Sequence, residues 1–407
     1  MATAYTDTVL NYSGLLYSTT DNNTRLLDAV FTRGKAFGDG IFGIGRRKVN
    51  SIQFALSSGF DVGDGSQPAI SEQSSTVAPN ASPVTRNQQD NCIQIFQDSV
   101  DVSYLKQSAN GTMAGLNIAG QANNVPNELD FQISAKMLKQ KKDLNYTLIN
   151  GAYQAGANSS TAWKSRGLVA GITTNVIAGA SMSGALLNNG ITAAIANGFV
   201  FDGGRMELWC NPSDLNTINS AFSSASGFGL PASRTEGGLA ITKIMTNFGE
   251  VVVNYDANIT AGTYLLLNMG ELAIAELDLP GKGNFFYEAL AKTGAAEKGQ
   301  IYGQAGIDYG AEWKHIQFII TSSTATISGT VKAGATAIEG ATVTLKEKFS
   351  GTTKTGTSAA STGAYTISSV AAGVYDVTVA ADGYTYAGTT IIVAGENQTL
   401  NIAVTAV

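Results

Sequence analysis

The composition of the chain changes abruptly after Ile320, and no other feature limits its possible folds as strongly. From residue 321 to 407, 19 of 87 residues are threonine and none is proline, which favours strands over helices. Short alternating stretches such as ATISGTV, ATVTLKEK and VYDVTVA recur there between glycine turns. About seven such strands in about 85 residues predict a small β-sandwich. The chain is therefore predicted to divide into a body, up to residue 320, and a separate all-β module at 321–407.

Length and charge narrow the class of protein further. A chain of 407 residues exceeds one ordinary core, so we expect two or three domains. Only 14% of residues are charged, which is typical of a surface covered by partners. The net charge of −6 argues against a dedicated nucleic-acid binder, although one locally basic face is compatible with it. Neither a signal peptide nor a membrane span is predicted, so no membrane partner is expected.

Residues 1–50 predict an extended N-terminal arm with short helical pieces. The arm ends in the glycine-rich basic stretch GDGIFGIGRRKV. Gly38, Gly40 and Gly43 match the dinucleotide pattern G-x-G-x-x-G, but no βαβ unit surrounds them. We therefore interpret this stretch as a flexible hinge in the arm.

Residues 51–105 predict a long hairpin. Apolar residues alternate with polar ones on the outward and return strands: Ile52, Phe54 and Leu56, then Ile93, Ile95, Val100 and Val102. The tip, residues 61–90, is rich in Gly, Ser, Gln and Asn and cannot bury a core of its own. We expect it to become ordered only against a neighbouring molecule.

Residues 106–320 predict the rest of the body, beginning with a long helix at about 127–151. Pro126 and Asn127 are start signals and Gly151 is a stop signal. The predicted apolar stripe comprises Leu129, Ile133 and Met137, widened by Phe131, Ala135 and Leu138. The cluster of Lys136, Lys139, Lys141 and Lys142 could face packaged nucleic acid, but a solvated helix face is the simpler interpretation.

Residues 160–320 predict a compact α/β region. The segment MELWCNPSDLNTINSAF predicts a strand followed by a helix capped near Asn211 or Ser213. Two or three strands are predicted in FGEVVVNYDANITAGTYLLLNMGELAIAEL. The later GAAEKG stretch resembles a phosphate loop, but Lys298 precedes Gly299 and no Ser or Thr follows. We predict a loop followed by a strand there, and no nucleotide site.

Residues that could support catalysis or bind a metal are scarce. His315 is the only histidine, and its apolar surroundings predict a buried strand residue. Cys92 and Cys210 are isolated in the sequence, as expected of buried small residues in a reducing cytoplasm. DVGDG at 61–65 lacks the alternating ligands of a calcium loop. We therefore predict no catalytic, cofactor-binding or metal site, and no enzyme.

Several segments of the body resemble major capsid proteins of tailed bacteriophages with the Hong Kong 97-type fold. They are SRGLVAGITTN (165–175), LWCNPSDLNTI (208–218), TNFGEVVVNYDANITAGTYLLLN (246–268) and LAKTGAAEKGQIYGQAGIDYGAEWKH (290–315). The C-terminal module resembles the carboxypeptidase regulatory-like, immunoglobulin-like sandwich in ISGTV, IEGATVTL and TGAYTISSVAAGVYDVTVAADGY. The resemblance implies an α+β capsid fold with N-arm, extended loop, spine helix, peripheral domain and axial domain, followed by the sandwich.

The same resemblance implies a shell of pentamers and hexamers around double-stranded phage DNA, assembled in the host cytoplasm. The other partners it implies are a portal and possibly scaffold or decoration proteins, with the sandwich on the outer surface. An encapsulin-type bacterial compartment remains an alternative, as does an adhesin whose sandwich binds host-surface glycans. Some capsid proteins of this type join subunits through a lysine on the extended loop. This chain has no lysine between Lys48 and Lys106, which predicts non-covalent contacts.

Overall fold

The strands of the body form a hairpin and two sheets, and the C-terminal segment forms a sandwich. The computed structural model describes residues 44–60, 67, 69–78, 84, 86–104, 128–201, 206–223 and 243–406. Its combination of helices and many strands confirms the predicted α+β class. The three glycines of the arm, the DVGDG motif and the helix start at Pro126 and Asn127 lie outside the described residues.

The hairpin consists of strands β2 (Gln53–Phe60) and β3 (Arg86–Cys92). They are antiparallel, with Gln53 opposite Cys92 and Phe60 opposite Arg86, and within the described residues they pair only with each other. A short helix (Glu72–Ser75) lies between them, where the Ser71 hydroxyl accepts a hydrogen bond from the Ser74 amide at 3.1 Å. Its apolar residues Phe54 and Leu56 nevertheless pack into the core of the body.

The predicted return strand of the hairpin is wrong beyond Ile93. A new strand, β4 (Gln94–Ser103), leaves β3 and pairs with β12 (Ala296–Asp308). The break at Ile93 changes which alternate residues point inward, since a one-residue shift moves side chains to the opposite face. Ile93 is buried as predicted, whereas Ile95 is 56% exposed. Of the other residues in the predicted alternation, Phe54, Leu56, Val100 and Val102 are buried, but Ile52 is exposed.

Strand β12 lies at the centre of a five-stranded sheet. Its other neighbours are β10 (Ala273–Glu276) and β11 (Phe286–Ala289), both antiparallel to it. At the edge, β1 (Gly45–Lys48) runs parallel to β10. The interpretation of this basic stretch as a flexible hinge is therefore wrong for residues 45–48. The lysine and two arginines there contact carboxylates of the sheet, which favours a fixed strand.

The long helix spans Glu128–Asn150 and ends at Gly151, as predicted. A Cβ at Gly151 would lie 2.4 Å from the Ser165 carbonyl oxygen, so only glycine fits there. The predicted apolar stripe is only partly right, because Phe131, Ala135 and Met137 are exposed. The first half packs on a small cluster around Val100, Val102 and Ile301, through Leu129 and Ile133. The larger core covers the second half, including Leu144, Leu148 and Ile149.

A six-stranded sheet forms the other part of the body. Its strands, in spatial order, are β5 (Val176–Gly179), β13 (Ile316–Ile320), β9 (Thr263–Asn268), β6 (Met206–Cys210), β8 (Glu250–Tyr255) and β7 (Lys243–Met245). The accompanying helices are Leu168–Gly171, Gly184–Ala196 and Leu215–Ser223, with 3-10 turns at Pro212–Asp214 and Glu312–Lys314. Asn211 caps the turn before the third helix, as predicted, by accepting from the Ser213 amide at 3.0 Å.

The described C-terminal residues form eleven short strands around a separate core. The larger ones are β14 (Thr324–Ala333), β16 (Thr342–Glu347), β17 (Thr353–Thr357), β18 (Ala364–Ala371), β19 (Gly373–Ala380) and β21 (Thr389–Val393). The two-residue strands are β15 (Thr336–Ala337), β20 (Tyr384–Thr385), β22 (Gln398–Thr399), β23 (Ile402–Ala403) and β24 (Thr405–Ala406). One sheet is built on β14 and β18, a second has the order β17-β16-β19-β21, and β20 pairs with β24 in a small third sheet.

Candidate functional site

The single histidine has a structural environment. His315 is fully buried, its Nδ1 accepts from the Asn268 amide at 3.2 Å, and its Nε2 lies 2.8 Å from the Tyr309 carbonyl oxygen. Burial lowers the pKa of the imidazole to about 4, against the opposing effect of the Tyr309 carbonyl. Both ring nitrogens are occupied by backbone groups, so the ring has no free position from which to act as a general base.

The two cysteines are equally unsuited to chemistry. Burial raises the pKa of the Cys92 thiol to about 11 and that of Cys210 to about 12. A thiol reacts as its thiolate, and these groups stay protonated at neutral pH. Within the described ranges, no group of three or more His, Cys, Asp or Glu side chains could hold a metal ion. The GAAEKG stretch runs into strand β12 rather than into a helix, so the geometry of a phosphate loop is not formed.

The lysine cluster of the long helix is partly neutralised by a carboxylate of the adjacent sheet. Lys136 and Lys139 contact Asp98 of β4 at 2.8 and 3.2 Å. Burial opposes ionisation of Asp98, but hydrogen bonds from both lysines outweigh it and lower the pKa of the carboxyl. These two lysines fix the helix to β4. Lys141 and Lys142 remain exposed on the same helix.

Asn91 fixes the base of the hairpin, a role that the sequence analysis missed. The side chain is fully buried and donates to the carbonyls of Arg166 and Ile307 at 3.0 and 2.8 Å. Its Oδ1 accepts from the amides of Arg166 and Cys92. One amide thus joins β3, the 165–167 segment and β12. A polar residue directly before the apolar run CIQIF was the only signal in the sequence.

Strand β1, which lies within the predicted arm, is fixed by ion pairs. Arg46 pairs with Glu276 at 2.9 Å, Arg47 with Asp308, and Lys48 with Asp278. Glu276 and Asp308 are buried, so loss of their partners would leave carboxylates without compensation. Residues 45–48 are therefore held at the edge of the sheet.

Several large apolar side chains are exposed on the hairpin and on the long helix. Ile70, Val77 and Val84 are exposed at the hairpin tip, and Phe131 and Met137 are exposed on the long helix. Large apolar side chains that protrude into solvent are typical of surfaces that become buried between molecules. They form the candidate functional surface of this chain. No described helix is long and apolar enough to cross a membrane.

Two family models match the chain in consecutive segments. The SU10 major capsid protein model matches residues 1–324, and the carboxypeptidase regulatory-like domain model matches residues 326–405. No curated protein matches the chain.

Solved structures of low identity are also similar to it. The capsid asymmetric unit of cyanophage A-1(L) is 14% identical, with a TM-score of 0.48 over 69% of this chain and 92% of that one. The structure of Mycobacterium phage Patience is 13% identical, with a TM-score of 0.46 over 70% of this chain and 84% of that one. The holo-SrpI encapsulin complex from Synechococcus elongatus PCC 7942 is 10% identical, with a TM-score of 0.43 over 69% of this chain and 86% of that one. Such scores do not separate a phage capsid from an encapsulin.

The capsid model covers most of the chain, and it indicates a structural, non-enzymatic component of the virion. The C-terminal match agrees with the strand-rich segment that begins at Thr324. The hairpin, the long helix and the two sheets are the parts of a Hong Kong 97-type subunit, and the chain belongs to the family of the SU10 major capsid protein.

Proposed function

We propose that copies of this chain assemble as pentamers and hexamers into an icosahedral shell around double-stranded phage DNA. The observation that carries the proposal is the hairpin of β2 and β3, which pairs only with itself in the described residues and carries exposed Ile70 and Val77 between its strands. Phe54 and Leu56 at its base are buried in the core of the body, whereas the exposed apolar side chains between its strands would be buried against another molecule. A shell multiplies this contact, so each one can be weak.

The other partners follow from the same assembly. The shell contacts packaged DNA non-specifically, through locally basic positions such as Lys141 and Lys142 on the long helix. Assembly occurs in the host cytoplasm, with a portal and with scaffold or decoration proteins. The sandwich lies on the outer surface, where it is accessible to host-surface glycans. The division into arm (1–50), hairpin (51–105), body (106–320) and sandwich (321–407) belongs to this proposal.

Substitution at the hairpin tip tests the assembly contact. Val77→Asp places a charge on a valine that is 69% exposed, and Val200→Asp places the same charge on a valine of the body that is 65% exposed. We expect Val77→Asp to reduce the yield of closed particles by at least about tenfold, since burying an unpaired charge at each of many contacts is costly. Val200→Asp should assemble normally. Normal assembly of Val77→Asp would contradict the proposed contact.

The content of the particles tests the rest of the proposal. Particles from phage-infected cells should contain nuclease-protected double-stranded DNA of uniform length. Particles that contain a single host enzyme in place of DNA would instead identify an encapsulin-type compartment. Electron microscopy of the same particles shows whether five-fold and six-fold clusters are present.

A further inference from the structure

An apolar patch lies on the outer face of the sandwich. Along β19, Tyr375 and Val377 point into the sandwich core, so Val374 points to the opposite face. Val374 is nevertheless only 6% exposed. Its cross-strand neighbour on β21 is Ile392, which is half-buried on the same face. Something other than the core of the sandwich therefore covers this patch.

The body covers it. Phe349, in the turn after β16, packs against the body cluster that contains Ile177 and Phe318. The Lys348 amide donates to the Val374 carbonyl at 2.8 Å, which places Phe349 beside Val374. The turn is held by a buried carboxylate, since Glu347 Oε2 accepts from the Phe349 amide at 2.9 Å.

The connection between body and sandwich is short and packed. Strand β13 ends at Ile320 and β14 begins at Thr324, and the Thr321 amide donates to the Gly179 carbonyl at 3.0 Å. A Cβ at Gly395 would lie 2.9 Å from Thr321 Cγ2. Strands β19 and β21 lie against β5, the edge strand of the six-stranded sheet.

We propose that Phe349, Val374 and Ile392 form a docking surface that holds the sandwich in one fixed orientation at the β5 edge of the body. The outward face of β19 becomes more exposed away from the patch, through half-buried Asp376 to exposed Thr378. The start of β19 is thus the docked end. The far end of β19, at Ala380, does not belong to the docking surface and lies about 20 Å from Val374, at about 3.4 Å per residue. The polar cleft that Glu339 and Asp382 help to line lies at that far end.

Two lysine substitutions on the same face of β19 test this surface. Val374→Lys disrupts the patch, and Thr378→Lys is its matched control at an exposed position. The full-length chain is treated with proteinase K, and release of the sandwich at residues 321–323 is followed over time. We expect Val374→Lys to release the sandwich about tenfold faster than wild type, since a buried valine side chain is lost from the interface. Thr378→Lys should match wild type.

Phe349→Ala is a second variant, which keeps the test decisive if Val374→Lys fails to fold. Equal release rates for wild type, Thr378→Lys and Phe349→Ala would overturn the proposal. So would a cryo-EM map of wild-type particles in which the sandwich is blurred while the body is sharp. The protease experiment works on unassembled subunits as well as on particles. Its outcome is therefore independent of whether the shell proposal is right.

Discussion

Replacement of His315 by glutamine should remove an acid sensitivity that is built into the body. His315 Nδ1 accepts from the Asn268 amide, and Nε2 donates to the Tyr309 carbonyl. This arrangement fixes the neutral ring, because a proton on Nδ1 would face the Asn268 N–H. Burial accordingly lowers the pKa of the folded-state imidazole to about 4 from the ordinary 6.5.

The size and sign of the effect follow from these two values. The unfolded chain binds a proton as the pH falls through about 6.5, whereas the folded chain resists until about 4. The contribution of His315 to stability is therefore fully present above 6.5 and is lost progressively as the pH falls to 4. At 1.36 kcal/mol per pH unit, the loss amounts to about 3 kcal/mol.

Urea unfolding of wild type and His315→Gln at about pH 7 and about pH 4.5 measures the effect. Glutamine does not titrate, and the carboxylates of the body are common to both chains. The free energy of unfolding of the wild type should fall by about 2 to 3 kcal/mol more than that of the variant. Because His315 is the only histidine, hydrogen–deuterium exchange at its imidazole C2 position reports its pKa directly. An imidazole pKa near 6.5, or a pH-independent difference between the two chains, would refute the reasoning.

Three further predictions concern assembly. A chain truncated after Ile320 should still form shells visible by electron microscopy, though with a lower melting temperature because Phe349 no longer packs on the body; insoluble or unassembled subunits would contradict this. Residues 61–90 should be cut readily by protease in free subunits and resist it in particles, and equal cleavage in both would exclude an inter-subunit contact of the tip. Particles boiled in detergent and reductant should give one band near 42.2 kDa, since no lysine lies between Lys48 and Lys106; a ladder of larger bands would show that another lysine forms a covalent link.

Elements whose signals are local were predictable from the sequence. The stop at Gly151 and the strand, cap and helix from Met206 to Ser223 are examples. A cap, a glycine that must approach a carbonyl, or an apolar run determines the backbone within a few residues. The sandwich was equally predictable from the sequence, because its alternation of apolar and polar residues places Tyr365 and Tyr375 in the core.

Pairings between distant parts of the chain were not predictable in this way. Arg46 meets Glu276 across 230 positions, and nothing in GIGRRKV indicates a strand partner so far away. The change of strand partner at Ile93 also depends on a distant part of the chain. Ile95 continues the alternation of the hairpin, but β4 pairs with β12, and that partner decides which face is buried. The predicted apolar stripe of the long helix is only partly right, because the large core covers the second half of the helix and leaves apolar residues of the first half exposed.

Composition alone predicts the sandwich as a module but not its docking on the body. The change after Ile320 correctly indicates a new module, and a new module suggests a freely tethered one. Val374 was the contrary signal, since it occupies the outward position that Asp376 and Thr378 share on the same strand. A single outward valine is common on protein surfaces and predicts nothing by itself. Val374 becomes informative only together with Phe349, which packs against the body beside it. Two apolar contacts next to a three-residue linker restrict the orientation of the sandwich on the body, whereas one contact would not.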